Sequence, residues 1–297
     1  MKSYMIQCLS RAESPISHMA RTSGNEAVIS SEPVRTATGV VDVPVLSGNA
    51  LRHRTVREPM AMWLIETYGL AGKLSLDQLN FLLHGGNLTE STATENTQRI
   101  AECHRLWPMI RLCGGSLPNQ ILAGSLDVWR GTLLCEENRL HLQQSLADTG
   151  PWLSARHWDG RYQYTRGDAT KTGLSTEPRN DRPSNLMIYS GQCVTKGAWF
   201  HHGYVLHHAS ILELGCLLLA LRLWQSRGGT VGGQSRIGHG RLTTYWLDFD
   251  DCGEAVDVYV EHVNSCRDEA SQWLNDVFTA KNADKTRKRR KSAEMSP

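Results

Sequence analysis

The residues best suited to chemistry lie between Gly228 and Arg241, Gly-Gly-Thr-Val-Gly-Gly-Gln-Ser-Arg-Ile-Gly-His-Gly-Arg. Glycine at 228, 229, 232, 233, 238 and 240 lets the backbone take positive φ and admits a second backbone with no Cβ in the way. That frame carries Gln234, Ser235, Arg236, His239 and Arg241, which with uncovered amides would suit a phosphate-bearing chain. For the glycines alone, a tight connection into an edge strand is the better explanation, and the interleaved arginines tilt the balance toward an anion. The next stretch, Leu242-Thr-Thr-Tyr-Trp-Leu247, is β-branched and aromatic and predicts a strand. A dinucleotide fingerprint or a P-loop would need a helix there. Gly233 to Gly238 does not continue as Gly-Lys-Ser/Thr, which disfavours nucleotide hydrolysis on a Walker-type loop.

A second anion-friendly pattern lies upstream. Val40-Val-Asp-Val-Pro-Val-Leu is a β-branched run that passes a proline and enters a helix at Ser47 or Gly48. Ser47 is a natural N-cap. The free amides at Ser47, Gly48 and Asn49, backed by Arg52, His53, Arg54 and Arg57, would form an anion site at the positive end of the helix. Taken alone, basic residues on a first exposed turn are commonly just solvated. Pro59 is expected to kink or restart this helix before Met60-Ala-Met-Trp-Leu-Ile65 buries its apolar side.

These segments belong to a 297-residue chain, long enough for one sizeable core with insertions. Its eight cysteines include no Cys-x-x-Cys and read as reduced, packed thiols of a cytosolic protein. No signal-length apolar region opens the sequence, and the longest apolar run, Leu214 to Leu221, is far short of a membrane span. A cytoplasmic, membrane-free protein is expected. The net charge of +2 hides an asymmetry: residues 281 to 297 hold seven Lys/Arg against Asp284 and Glu294. That tail is expected to be disordered and to add sequence-independent attraction to a polyanion.

The remaining stretches supply the frame. Residues 3 to 10 alternate loosely as a first strand, followed by an irregular stretch from Ser14 through Pro33. Leu74 to Leu83 and Thr97 to Arg111 predict helices of an inserted lobe, about 70–112, separated by Gly-Gly-Asn at 85 to 87. Gly124 to Leu134 suggests a core strand. Residues 148 to 185 mix Arg156, Arg161, Arg166, Lys171, Arg179 and Arg182 with Trp152, Trp158, Tyr162 and Tyr164, which suits a loop that orders on a single-stranded nucleic acid. A surface insertion with ordinary charges is the plainer alternative. Asn185 to Tyr189 and Ala198 to His208 read as a strand pair. Its His201, His202, His207 and His208 alternate between faces and lack a carboxylate or cysteine at ligand spacing, so packed or solvent-facing histidines are favoured over a metal site. Ser210-Ile-Leu-Glu213 is a capping box opening a helix to Trp224 that is apolar on nearly every side. From Val256, the alternation of three and four through Tyr259, Val263, Cys266, Ala270, Trp273 and Val277 makes an amphipathic C-terminal helix. Docking on its own core is its default partner, with an adjacent copy as the other option.

Two of these segments carry a resemblance. Val43-Pro44-Val45-Leu46-Ser47-Gly48-Asn49-Ala50-Leu51-Arg52, combined with the late Gly232-Gly233-Gln234-Ser235-Arg236-Ile237-Gly238-His239-Gly240-Arg241, resembles the CRISPR-associated RAMP superfamily, in the order that family requires. Length and the wording Leu-Ser-Gly-Asn-Ala-Leu-Arg-His are most similar to the guide-RNA-binding backbone subunit of type IV effector complexes. The resemblance implies an α+β fold: a ferredoxin-like, RRM-like core over 1–280 with a helical insertion, a thumb-like hairpin insertion at about 148–185 and a C-terminal helix. It implies a non-catalytic subunit, without cofactor or metal, that oligomerises along CRISPR guide RNA and presents the spacer for pairing with target nucleic acid, expected to be DNA. Implied partners are further copies of the chain and other effector subunits, a helicase among them. The implied guide contacts are Ser47, Gly48, Asn49, Arg52, His53, Gly233, Gln234, Arg236, His239 and Arg241.

The alternative is a RAMP endoribonuclease cutting target or precursor guide RNA. Enzymatic relatives carry an aspartate shortly before a Pro-Val pair. Here Ile29-Ser30-Ser31-Glu32-Pro33-Val34 puts Ser31 at that position and Glu32 one residue out of register. A guide-processing relative would use a histidine as general acid or base, which the His pairs keep open.

Overall fold

Alternation along the first strand puts Ile6, Cys8, Ser10 and Ala12 on one side, all fully buried, and Met5 and Arg11 on the exposed side. A computed structural model describes this strand among residues 2–23, 26–88, 96–147, 152–166, 187–247 and 252–278. In chain order the strands are β1 (Lys2–Ala12), β2 (Met19–Ser23), β3 (Glu26–Ile29), β4 (Ser31–Thr36), β5 (Gly39–Leu46), β6 (Gly115–Leu117), β7 (Gln120–Leu122), β8 (Leu126–Val128), β9 (Gly131–Leu133), β10 (Asp159–Arg166), β11 (Met187–Val194), β12 (Trp199–Ala209) and β13 (Leu242–Leu247). The α-helices are α1 (Gly48–Leu51), α2 (Glu58–Thr67), α3 (Leu76–His84), α4 (Thr97–Leu106), α5 (Pro108–Cys113), α6 (Gln144–Ala147), α7 (Ile211–Ser226) and α8 (Gly253–Ser265), followed by a further helical stretch over 267–278.

The main sheet runs β13-β1-β12-β9-β5-β4, with β8 also on β12, and every pairing is antiparallel. β1, the α1–α2 helix, β8–β9, β12, α7 and β13 form a βαββαβ unit in spatial order four-one-three-two, which is the ferredoxin-like arrangement. Both crossover helices run on one side of the sheet. Their apolar residues, Val56, Met60 and Leu64 from the first and Leu214, Leu217, Leu218 and Leu221 from α7, share one core with Ile6, Tyr204 and Leu206 of the strands. The Ser210 capping box forms in full, with the Ser210 side chain on the Glu213 amide and the Glu213 carboxylate on the Ser210 amide.

The inserted and C-terminal helices extend that core. Phe81 and Leu82 of α3, Leu106 of α4 and Met109 and Ile110 of α5 are fully buried in it. The helix expected over 97–111 is two, because Pro108 has no N–H to continue the ladder and Trp107 leaves the helical region (φ −130°, ψ 68°). All seven C-terminal residues at three-and-four spacing, Val256 to Val277, are buried in the same core, so this segment docks on its own chain. It is not one continuous rod: α8 ends at Ser265 and helix resumes over 267–278.

A second sheet, β10-β11-β3-β2, lies outside the sequence expectation. Asn185–Tyr189 and Ala198–His208 were expected to pair with each other. Instead β11 pairs with β10 and, in parallel, with β3. The cause is local. Val194 exchanges both backbone bonds with Ile16 (2.8 and 2.9 Å), after which Gly197 donates to Ala12 and carries the chain into the main sheet. The tip of the β10–β11 hairpin and the basic tail lie outside the described residues. Among the described residues, no helix is long and apolar enough to cross a membrane.

Candidate nucleic-acid interface

The helix start is built from Ser47 upward. Ser47 has extended backbone, and its hydroxyl accepts the Ala50 N–H at 3.2 Å. Gly48 sits where a Cβ would lie 2.4 Å from the Val128 carbonyl, so only glycine lets the helix start this close to β8. Asn49 is exposed and accepts a hydrogen bond from the half-buried Arg52 guanidinium. Beyond Leu51 the helix widens into a π-helix over Arg52–Arg57 and re-forms as α2. Pro59 has no N–H and its ring presses on the carbonyl four residues back, and the wider turns before it relieve that clash without a break.

The basic residues of this turn divide. Arg54 pairs with Glu58 at 2.6 Å and reaches Thr230 at 3.3 Å. Arg57, 7% exposed, points inward and donates to the Cys113 and Gly114 carbonyls at 3.0 and 2.7 Å, so it holds the end of α5 and is withdrawn from any surface anion site. His53 is half-buried, stacks on His84 at 5.5 Å, and has its pKa lowered by burial. Arg52 is left as the guanidinium beside the amides of the first turn.

The glycine loop is anchored by its backbone. Val231 donates to Gly240, Gly240 to Pro15 and Gly233 to Ser17, the last two at 2.7 Å. Gly240 has φ +87°, and a Cβ there would stand 2.1 Å from the Val231 carbonyl oxygen. Gln234 takes the left-handed region at φ 62°, uncommon for a non-glycine residue, and opens a 3-10 turn over Ser235–Ile237 that closes on Gly238 at φ 89°. Arg236 stands exposed on that turn, and Arg241 is exposed beyond it, beside Glu13. Two loop residues expected to contact RNA are engaged within the protein. Gly233 has its amide engaged with Ser17, and His239 is 9% exposed, its Nδ1 bonded to the Ser17 hydroxyl at 2.7 Å and its ring edge-on to Tyr162. Both support the loop from beneath.

The two segments meet on the residues read as irregular loop. Ser17 holds the glycine loop through Gly233 and His239, and the next residue, His18, accepts the Ser47 N–H at 3.1 Å on Nε2. That bond requires an unprotonated Nε2, and burial lowers the His18 pKa accordingly. Arg54 to Thr230 is a second, direct link. Signals for Ser17 and His18 were absent because neither lies in a periodic run.

Alongside stands a row of rings. Tyr164 and Tyr189, opposite each other on β10 and β11, stack at 5.3 Å, Tyr162 continues the row at 6.3 Å, and the Gln234 amide reaches the Tyr164 hydroxyl at 3.4 Å. Stacked rings of this kind offer π-faces to unpaired bases. The four strand histidines have separate settings. His201 bonds Gln7, the fully buried His202 bonds Ser10 at 2.8 Å with its pKa pushed down to about 3 by burial, His207 bonds Asp127, and His208 is exposed. Among the described residues, no three His, Cys, Asp or Glu side chains gather as a metal-binding group.

Ser31 opens into a cleft of about 480 Å³ between β4–β5 and the foot of the β10–β11 hairpin. Glu32, the next residue, pairs with Arg130 at 2.7 Å and does not line it. Carboxylates reach this cleft from Asp42 and Asp159, far apart in sequence and invisible to a motif search.

No protein-family model and no curated protein matches the chain. Among solved structures, a chain described as "Type IV-B CRISPR Complex" superposes with a TM-score of 0.58 at 16% identity, covering 84% of this chain and 93% of its own. Over most of the length of both, this chain is therefore similar in fold to a chain of a Type IV-B CRISPR complex.

Proposed function

We propose that the chain is a non-catalytic structural subunit of a type IV-like CRISPR effector, which oligomerises along guide RNA and presents the spacer for pairing with target nucleic acid. The observation that carries this reading is the junction at Ser17–His18. It joins a capped helix start and an arginine-bearing glycine loop, two elements that each favour phosphate, beside a row of tyrosines. Likeness of fold to a chain of a Type IV-B CRISPR complex supports the same assignment. Asn49, Arg52, Gln234, Arg236 and Arg241 take the ribose-phosphate chain. Ser47, Gly48, His53, Gly233 and His239 shape the surface they stand on. Other copies of the chain and other effector subunits are the protein partners of this reading, and the cytoplasm is its compartment.

Charge reversal at Arg52 and Arg236 tests it. Guide RNA binding should weaken for every spacer sequence, and its dependence on salt should flatten. Unchanged binding would refute the assignment. Strand scission is not part of this proposal: the sequence position that matches the relatives' aspartate is Ser31, whose hydroxyl cannot serve as the acidic group, Glu32 is held by Arg130, and the Asp42 and Asp159 carboxylates of the neighbouring cleft are assigned to binding. Loss of target RNA cutting in Glu32→Gln would overturn that half.

A further inference from the structure

The cleft at Ser31 is a site that guide-backbone binding does not use. One wall comes from β4 and β5, whose register sets Ser31 against Pro44 and Pro33 against Asp42, so Ser31 and Asp42 share a face and Glu32 takes the other. The opposite wall is the foot of β10, where Asp159 and Arg161 are alternate residues on one face, with Gln192 across from Arg161. Gln192 uses its carbonyl oxygen on the Ile29 N–H at 3.1 Å, which leaves its amide nitrogen as a donor. Arg161 is 78% exposed and holds Glu26 only at 3.7 Å.

The lining therefore offers two carboxylates as acceptors and a guanidinium and an amide as donors, over a Pro44 floor. About 480 Å³ lies in the range, roughly 300–1,000 Å³, that holds a ligand of nucleotide size. A phosphate is opposed by the carboxylates. A metal ion would have two carboxylates and a repelling guanidinium as neighbours, with no third His, Cys, Asp or Glu gathered there among the described residues. A cationic peptide would meet Arg161. What suits the mixture is a neutral planar group with donors on one edge and acceptors on another.

Guanine has that pattern: N1–H and the N2 amino group side by side on one edge, O6 and N7 on the other. The cleft also adjoins the proposed strand path. Ile29 and Ser31 flank Ser30, which donates to His18 at 2.7 Å, and His18 is the residue that receives the Ser47 N–H. We propose that this cleft is a guanine subsite, in which a cleft carboxylate accepts N1–H and the N2 amino group while Arg161 and the Gln192 amide donate to O6 and N7. The proposal rests on the RNA-binding reading above, since the base must arrive on a strand held at the helix start and loop.

Fluorescence anisotropy of the full chain with labelled seven-residue uridine RNAs, the central base being G, inosine, 7-deazaguanine, A or U, tests it. The G oligomer should bind about tenfold tighter than the all-U one. Inosine, lacking the N2 amino group, and 7-deazaguanine, lacking N7, should each lose most of that advantage. The double variant Asp42→Asn with Asp159→Asn, isosteric changes at two exposed positions, should bring G down to the level of U. Measurable but equal binding of all five RNAs overturns the guanine subsite and leaves the RNA-binding reading standing, as does a G preference that survives the double variant. Binding of none of them overturns both. An arginine-rich peptide that binds the wild type and not the double variant, with RNAs showing no base preference, gives the cleft to a protein partner and also ends the proposal.

Discussion

The helix start and the glycine loop both favour phosphate, yet they are built in opposite ways. At the helix start the Ser47 amide is taken by His18 and that of Ala50 by the Ser47 hydroxyl, which leaves the first-turn amides of Gly48 and Asn49 without an intrahelical acceptor, while Arg54 is drawn onto Glu58 and Arg57 onto two carbonyls, and Arg52 rests on the exposed Asn49. In the loop the backbone is drawn into structure, through Gly233, Gly240 and Val231, and the guanidinium of Arg236 stands clear. One element supplies oriented amides and the other supplies mobile charge. Joined at Ser17–His18, they supply what either lacks alone.

The contrast breaks most severely at the loop backbone. Gly240→Ala adds a Cβ at positive φ and against the Val231 carbonyl, so it should destabilise the protein by about 3 kcal/mol, measured by urea unfolding. Removing the inward arginine of the helix start comes next. Arg57→Ala leaves the Cys113 and Gly114 carbonyls without their donor and should cost about 2–3 kcal/mol of stability, with RNA affinity of the folded fraction unchanged.

Acid acts on the histidines. His202 is buried neutral, its pKa pushed from 6.5 down to about 3, so the unfolded chain binds a proton before the folded one does. Its contribution is complete above pH 6.5 and falls away as pH drops toward 3, by about 2 kcal/mol between pH 7 and pH 5. His18 and His239, also lowered by burial, titrate in the same sense and lie at the junction itself. Unfolding at pH 7 and pH 5 should show the loss, and His202→Gln should flatten it.

The smallest effect sharpens the contrast from the charge side. Arg236→Gln should leave stability within about 0.5 kcal/mol. It should lower RNA affinity about equally across sequences and reduce the slope against salt by about one. Arg54→Gln, which removes an engaged arginine, should leave that slope unchanged.

Periodicity made much of the fold legible. The capping box at Ser210, the three-and-four spacing from Val256 and the strand after Arg241 each appear where local chemistry puts them. Short segments escaped. β2 and β3 are only five and four residues long, too short to show a period, and β3 gains its order from β11, more than 150 residues away, with β2 pairing on β3 in turn. The basic-aromatic stretch hid β10, because Tyr162 and Tyr164 pack in a row of rings on a second sheet that no local signal announces. Within the site, Ser47 and Gly48 were legible as a helix start, and Arg236 as a loop cation. The inward turn of Arg57 was not, since its partners sit 56 and 57 residues further on. Neither were Ser17 and His18, whose roles exist only once both segments are in place.

Photocrosslinking tests the junction most directly. A single-stranded RNA carrying 4-thiouridine, irradiated with the full chain and digested for peptide mapping, should give adducts on peptides containing both Asn49–Arg52 and Gln234–Arg236, within a few nucleotides of one another. Adducts confined to one of these peptides, or on another face of the molecule, would contradict a single groove.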